Sequence, residues 1–156
     1  MTDMYLSVSL EAKHDFDTGA VTRRLGIEPT QVRKLGTPIQ PGHDALYKYS
    51  SWEWDTGHIS ADDAGELIAQ AAAMFQSRAT VMRELANEYG GKWAIVLDGY
   101  VHSGDAPTVL LPPDFVEFCA AIGAIFQYVI DISYDYTSKG GAARGTAEDR
   151  PNTHRG

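Results

Sequence analysis

Residues 4–11 read MYLSVSLE, in which Met4, Leu6, Val8 and Leu10 alternate with Tyr5, Ser7 and Ser9. A β-strand turns successive side chains to opposite faces, so this run predicts a strand with one apolar and one polar side. The pattern returns in IFQYVIDISYDY, residues 125–136. There Phe126, Tyr128, Ile130, Ile132 and Tyr134 point one way, and Gln127, Asp131, Ser133 and Asp135 the other. A sheet built from such strands needs cover on its apolar face only.

The segments between supply that cover. In DFDTGAVTRRLG (15–26), Asp17 or Thr18 can cap a short helix. Gly26 sits where a left-handed residue ends a helix, Ile27 can make the accompanying apolar contact, and Pro29 forbids continuation. Residues 30–44, with Gly36, Pro38, Pro41 and Gly42, read as a long loop. ALYKYSSWEW (45–54) is strand-like, with Tyr47 and Tyr49 on one face and Trp52 and Trp54 on the other. A bulge at Ser50-Ser51 would unite all four aromatics. Ser60 is read as the cap of a helix reaching Gln76, along which Ala64, Leu67, Ile68, Ala71 and Phe75 form an apolar stripe. A second helix, 78–89, carries Val81, Met82, Leu85 and Tyr89 and stops at Gly90. KWAIVLDGYV (92–101) has the apolar content of a central strand. HSGDAP turns the chain, and TVLL (108–111) is read as a short paired strand. Pro112 or Pro113 opens a helix with Phe115, Phe118, Cys119 and Ile122 on one face, ended by Gly123.

The order β-α-β-α-α-β-(β)-α-β predicts an α+β fold. It is expected to be a two-layer sandwich: a mainly antiparallel sheet of four to five strands with helices on one face. A ferredoxin-like arrangement is the analogy this order offers; strand order itself does not follow from it. Residues 1–136 are expected to form a single α+β domain. Residues 137–156 have almost no apolar content and are expected to form a disordered tail.

The 156 residues carry a net charge of -8. The last twenty hold four cations and two carboxylates, so residues 1–136 carry -10. Such a body repels nucleic acid phosphates and anionic membranes and favours a basic partner. A single cysteine, Cys119, excludes intrachain disulfides and multi-cysteine zinc sites and suits a reducing compartment. The opening MTDMYLSVSL lacks the layout of a signal peptide, and no apolar run approaches the roughly 18 residues of a membrane span. A cytoplasmic location is the expectation, with no nucleic acid and no membrane as partner and the oligomeric state open.

RRLGIEPTQVRKLG (23–36) carries the most distinctive basic residues. It follows a helix, and its glycines do not fit the strand-to-helix phosphate loop. Arg33 and Lys34 remain candidates for holding a small anion. No pair of histidines stands at helical ligand spacing. His14 and His58 each lie near aspartates that capping explains equally well. No nucleophile elbow occurs, and Cys119 falls on an apolar stripe. No catalytic residue, metal or cofactor is therefore assigned. Asp131 and Asp135 share a strand face about 13 Å apart, too far to act as a carboxylate pair. The polar sheet face, with Tyr5, Ser7, Gln127, Asp131 and Asp135, is the candidate surface for a basic protein partner.

Leu25-Gly26-Ile27-Glu28-Pro29-Thr30, the KLGTP loop, SSWEW, and LLPPDFVEFCAAIGAIFQYVIDISYD together resemble the bacterial domain-of-unknown-function family 4279 over residues 4–136. The resemblance implies a small α+β domain with no assigned activity and no catalytic residues to carry over. Some members look like immunity proteins of polymorphic toxin systems. Three expectations follow: a non-catalytic, immunity-like protein with an acidic binding surface; a small-anion sensor closing its 28–44 loop over the ligand; and a metal-assisted enzyme around His14 or His58.

Overall fold

The computed structural model describes residues 2–132. The elements run β1 (Thr2–Ala12), α1 (Thr18–Leu25), β2 (Gln31–Arg33), β3 (Ser50–Asp55), β4 (Ile59–Ala61) and α2 (Gly65–Phe75). A single 3-10 turn (Gln76–Arg78), α3 (Ala79–Tyr89), β5 (Lys92–Val101), α4 (Pro113–Ala121) and β6 (Ile125–Ile132) follow. The sheet order is β2-β3-β1-β5-β6, and β4 pairs with the start of β1. β1 is antiparallel to both β3 and β5, whereas β5 and β6 are parallel. A parallel pair needs a long crossover, and the segment containing α4 supplies it.

The alternation of β1 decides the layers. Met4, Leu6, Val8 and Leu10 are at most 1% exposed. They share one core with Val21 and Leu25 of α1, Leu67 and Phe75 of α2, Met82 and Leu85 of α3, and Phe115 and Phe118 of α4. All four helices therefore contribute to the same face, and the fold is an α+β two-layer sandwich. No described helix is long and apolar enough to cross a membrane.

Leu10 lies in register between Trp52 on β3 and Trp93 on β5. Both tryptophans are fully buried, with rings edge to face at 6.1 Å. A buried indole N–H needs a partner. Trp52 Nε1 donates to Thr22 Oγ1 of α1 at 3.0 Å, and Trp93 Nε1 donates to the Met82 carbonyl of α3 at 2.7 Å.

Several expectations change. The sheet has six strands because β2 and β4, at three residues each, are too short to display a period. β2 lies inside the stretch read as loop, so the loop proper spans 34–49. The ferredoxin-like arrangement is not adopted. Its split βαβ unit would separate the strands joined by a helix, whereas α4 joins direct neighbours. β3 begins at Ser50 and needs no bulge; Tyr47 and Tyr49 precede it, their rings 6.0 Å apart. Ser60 belongs to β4 instead of capping a helix. α2 starts at Gly65, whose N–H is accepted by Asp63 Oδ1 at 2.8 Å. TVLL contributes only an isolated bridge from Thr108 to Asp63. Tyr134, Asp135 and the 137–156 tail lie outside the described residues.

The LGIEPT segment is a structural device. Gly26 adopts φ 68° and donates its N–H to the Thr22 carbonyl at 2.8 Å, and Ile27 is buried behind it. Arg78 Nε donates to the Leu25 carbonyl at 2.8 Å, satisfying a helix-end acceptor. Thr30 then joins β3, its N–H donating to the Glu53 carbonyl at 2.8 Å and its Oγ1 accepting from the Asp55 N–H at 2.9 Å.

A side chain at Gly26 must adopt the left-handed backbone. Gly26→Ala is expected to lose about 1 kcal/mol of stability in urea denaturation. Glu28→Ala, at an exposed position, should stay within about 0.5 kcal/mol of wild type. Equal midpoints for the two variants would remove this role from Gly26.

Candidate functional site

The face of the sheet away from the helices carries the polar half of each alternation. At one end, β1 and β5 place Asp3 beside Tyr100 and Tyr5 beside Asp98, and β6 sets Asp131 beside Tyr100. The turn after β3 adds His58, whose ring lies 4.6 Å from that of Tyr5. His102, just past β5, packs on Tyr100 at 4.7 Å and meets Asp3 Oδ2 through Nε2 at 2.7 Å. These groups enclose an open groove of about 310 Å³.

Three carboxylates, two phenols and two imidazoles thus line the groove, and among the described residues no lysine or arginine does. Burial pushes the Tyr5 phenol up to about 12, and the charge and hydrogen bonding of Asp98 add to it, with Glu53 and Asp55 behind. Asp3 is held below the ordinary carboxylate value, chiefly by its hydrogen bond with His102. Tyr100 is 42% exposed and offers its ring to an incoming group. The arrangement is suited to a cation: carboxylates supply charge, and the phenol rings supply π faces.

Of the residues proposed from the sequence, Tyr5 and Asp131 line this groove, and so does His58, proposed there for metal-assisted chemistry. Ser7 shares the face but is 7% exposed, lodged between Val96 and Asp55. Gln127 is also on this face, beside Val96, nearer the middle of the sheet. Asp135 lies outside the described residues. Asp3, Asp98, Tyr100 and His102 escape a sequence reading. Asp98 and Tyr100 do alternate with Leu97 and Val101, a signal hidden by the overall apolar character of 92–101.

The cations of 23–36 are already answered. Arg23 pairs with Asp17 at 3.3 Å, and Arg24 with Glu84 at 3.2 Å and also with Glu88. Arg33 pairs with Glu53 at 2.9 Å and donates to Gln31 Oε1 at 2.8 Å, while Lys34 faces Asp15 at 3.8 Å. A cavity of about 500 Å³ beside Arg33 and Lys34 has Asp15 and Asp17 in its wall. His14 meets the Tyr89 carbonyl, far along the chain from His58 on Tyr5. Among the described residues no three His, Cys, Asp or Glu side chains stand close enough together to hold one metal ion, those of the groove included. Cys119 is buried, and burial pushes its thiol up, away from the reactive thiolate.

Residues 2–133 match the family model described as Domain of unknown function (DUF4279). No curated protein matches the chain, and no solved structure matches it.

The raised Tyr5 phenol has a sign in stability. The folded state holds the neutral form beyond the ordinary value of 10, so this contribution is complete below about pH 10 and is lost as pH rises towards 12. Ultraviolet titration should show one phenol ionising latest in the wild type, absent from Tyr5→Phe and moved lower in Asp98→Asn. An unchanged titration in Asp98→Asn would show that this carboxylate does not act on Tyr5.

Proposed function

Because this chain belongs to the family Domain of unknown function (DUF4279), whose description assigns no activity, we propose its role from its surface. It is a binding protein that takes up a basic segment of a protein partner in the groove of Asp3, Asp98 and Asp131. The role is immunity-like in that an acidic face covers a basic surface of another protein, and the setting is cytoplasmic. One observation carries the reading: three carboxylates line an open sheet end with Tyr5 and Tyr100, and among the described residues no lysine or arginine joins them. An arginine side chain fits this chemistry, with its guanidinium plane on the Tyr100 ring and its N–H groups towards Asp98 and Asp131. The net charge of -8 would speed the encounter.

The small-anion sensor with the 28–44 loop over the ligand has weaker support, since Arg33 and Lys34 are both engaged by carboxylates. A metal-assisted reaction at His14 or His58 has no supporting ligand cluster among the described residues.

The test uses a nona-arginine peptide and fluorescence anisotropy. Wild type should bind with an affinity that falls as salt is raised. Asp131→Lys combined with Tyr100→Ala should weaken binding about tenfold, the loss of one rim ion pair and one cation–π contact. Affinity independent of salt, or unchanged in the double variant, would overturn the reading.

A further inference from the structure

The opposite end of the same sheet face has the reverse charge. The end of β1, the approach to β3, the start of β5 and the start of β6 meet there, with Ala12 opposite Ser50, Glu11 opposite Lys92 and Ala94 opposite Ile125. Between them lies a pocket of about 660 Å³, within the range of small-molecule sites. Its back is closed by the turn between α3 and β5. A Cβ at Gly91 would stand 2.9 Å from the Glu11 carbonyl oxygen, so only a glycine lets that turn press against β1.

Two features of the lining define what it fits. Lys13, Lys48 and Lys92 stand at the pocket, and among the described residues none of the three has a carboxylate within ion-pair distance. In a chain with 21 carboxylates and 13 cations, the lining contains one carboxylate among the described residues, Glu11. The floor is apolar and open: Tyr49 and Ala94 are half-buried, and Ile125 is 57% exposed. Exposed lysines alone would be an ordinary solvated rim. Lysines around an open aromatic and aliphatic floor match a ligand that is itself divided into an anionic and an apolar part. Inorganic phosphate would leave the floor uncovered, and among the described residues no arginine fork lines the pocket to hold it.

We propose that this pocket binds a small organic anion with a flat apolar body, of the aromatic carboxylate class. The ring rests on Tyr49, Ala94 and Ile125, and the carboxylate is held by Lys13, Lys48 and Lys92. The site is separate from the acidic groove. Glu11 and Asp3 are eight residues apart on β1, about 26 Å along the strand. The same face thus presents a cation-binding end and an anion-binding end.

The test is isothermal titration of the full chain with 2-naphthoate, with 2-naphthalenemethanol as the neutral counterpart and inorganic phosphate as the apolar-free one. Saturable one-to-one binding is expected, at least about tenfold tighter for the carboxylate than for the alcohol or phosphate. Lys48→Gln with Lys92→Gln should weaken naphthoate about tenfold while keeping the wild-type circular dichroism, since both side chains are exposed. Asp131→Lys with Tyr100→Ala should leave naphthoate binding unchanged, which keeps this result independent of the acidic groove. Amide chemical shifts of the wild type provide a readout without mutation, and they should change at residues 12–14, 48–49, 90–94 and 125. No binding at millimolar naphthoate, equal binding of the alcohol, an unaffected lysine variant, or shifts centred on the acidic groove would each overturn the proposal.

Discussion

The buried pair Trp52 and Trp93, clasped around Leu10, is the constraint on which the rest of the structure depends. Each indole removes a large apolar surface from water, and each carries an N–H that cannot be left unpaired. Thr22 and the Met82 carbonyl answer those donors. α1 is thereby tied to β3, and α3 to β5. Phe75, at the end of α2, packs edge to face on both Trp52 and Trp54, at 6.3 Å and 5.2 Å. Three helices are thus referred to one aromatic cluster, and the helical layer has little freedom to slide over the sheet.

With every helix committed to one face, the other face becomes the working surface. Its centre is small and closed: Ser9 and Ser51 are 3% and 0% exposed, and the neighbouring Arg33–Glu53 pair is itself largely covered. Chemistry therefore collects at the two ends. Asp3, Asp98 and Asp131 gather where β1 begins and β5 and β6 end, and Lys13, Lys48 and Lys92 gather where β1 ends and β5 begins. Antiparallel pairing of β1 with β5 produces this separation, because it brings the start of one strand to the end of the other. Charges of opposite sign held about 26 Å apart lie beyond a Debye length at physiological salt, so each end acts on its own ligand.

The basic segment 23–36 illustrates how tertiary contacts reassign a motif. Its arginines look available in the sequence, yet Arg24 reaches α3 and Arg33 crosses to β3. LGIEPT is legible as a helix stop because its information is local: a glycine at positive φ, an apolar residue behind it, and a proline that cannot continue. The part played by Arg78, 53 positions away from Leu25, is not local and was invisible.

Consecutive residues alone establish which side of β1 faces the helices, where α1, α3 and α4 stop, and that the fold is an α+β sandwich. Alternation and helical periodicity are properties of consecutive residues, so MYLSVSLE and, over the described part, IFQYVIDI declare their faces without further help. Which strands are neighbours follows from long-range pairing. A period of two states the face of a side chain and says nothing about what lies across the ladder. His102 meets Asp3 across 99 positions, and Lys13, Lys48 and Lys92 come together from three separate segments. β2 and β4 were missed for a related reason, since three residues span too little chain to show a period. Both candidate sites are made by strand order, and strand order is set by long-range pairing around the tryptophan cluster.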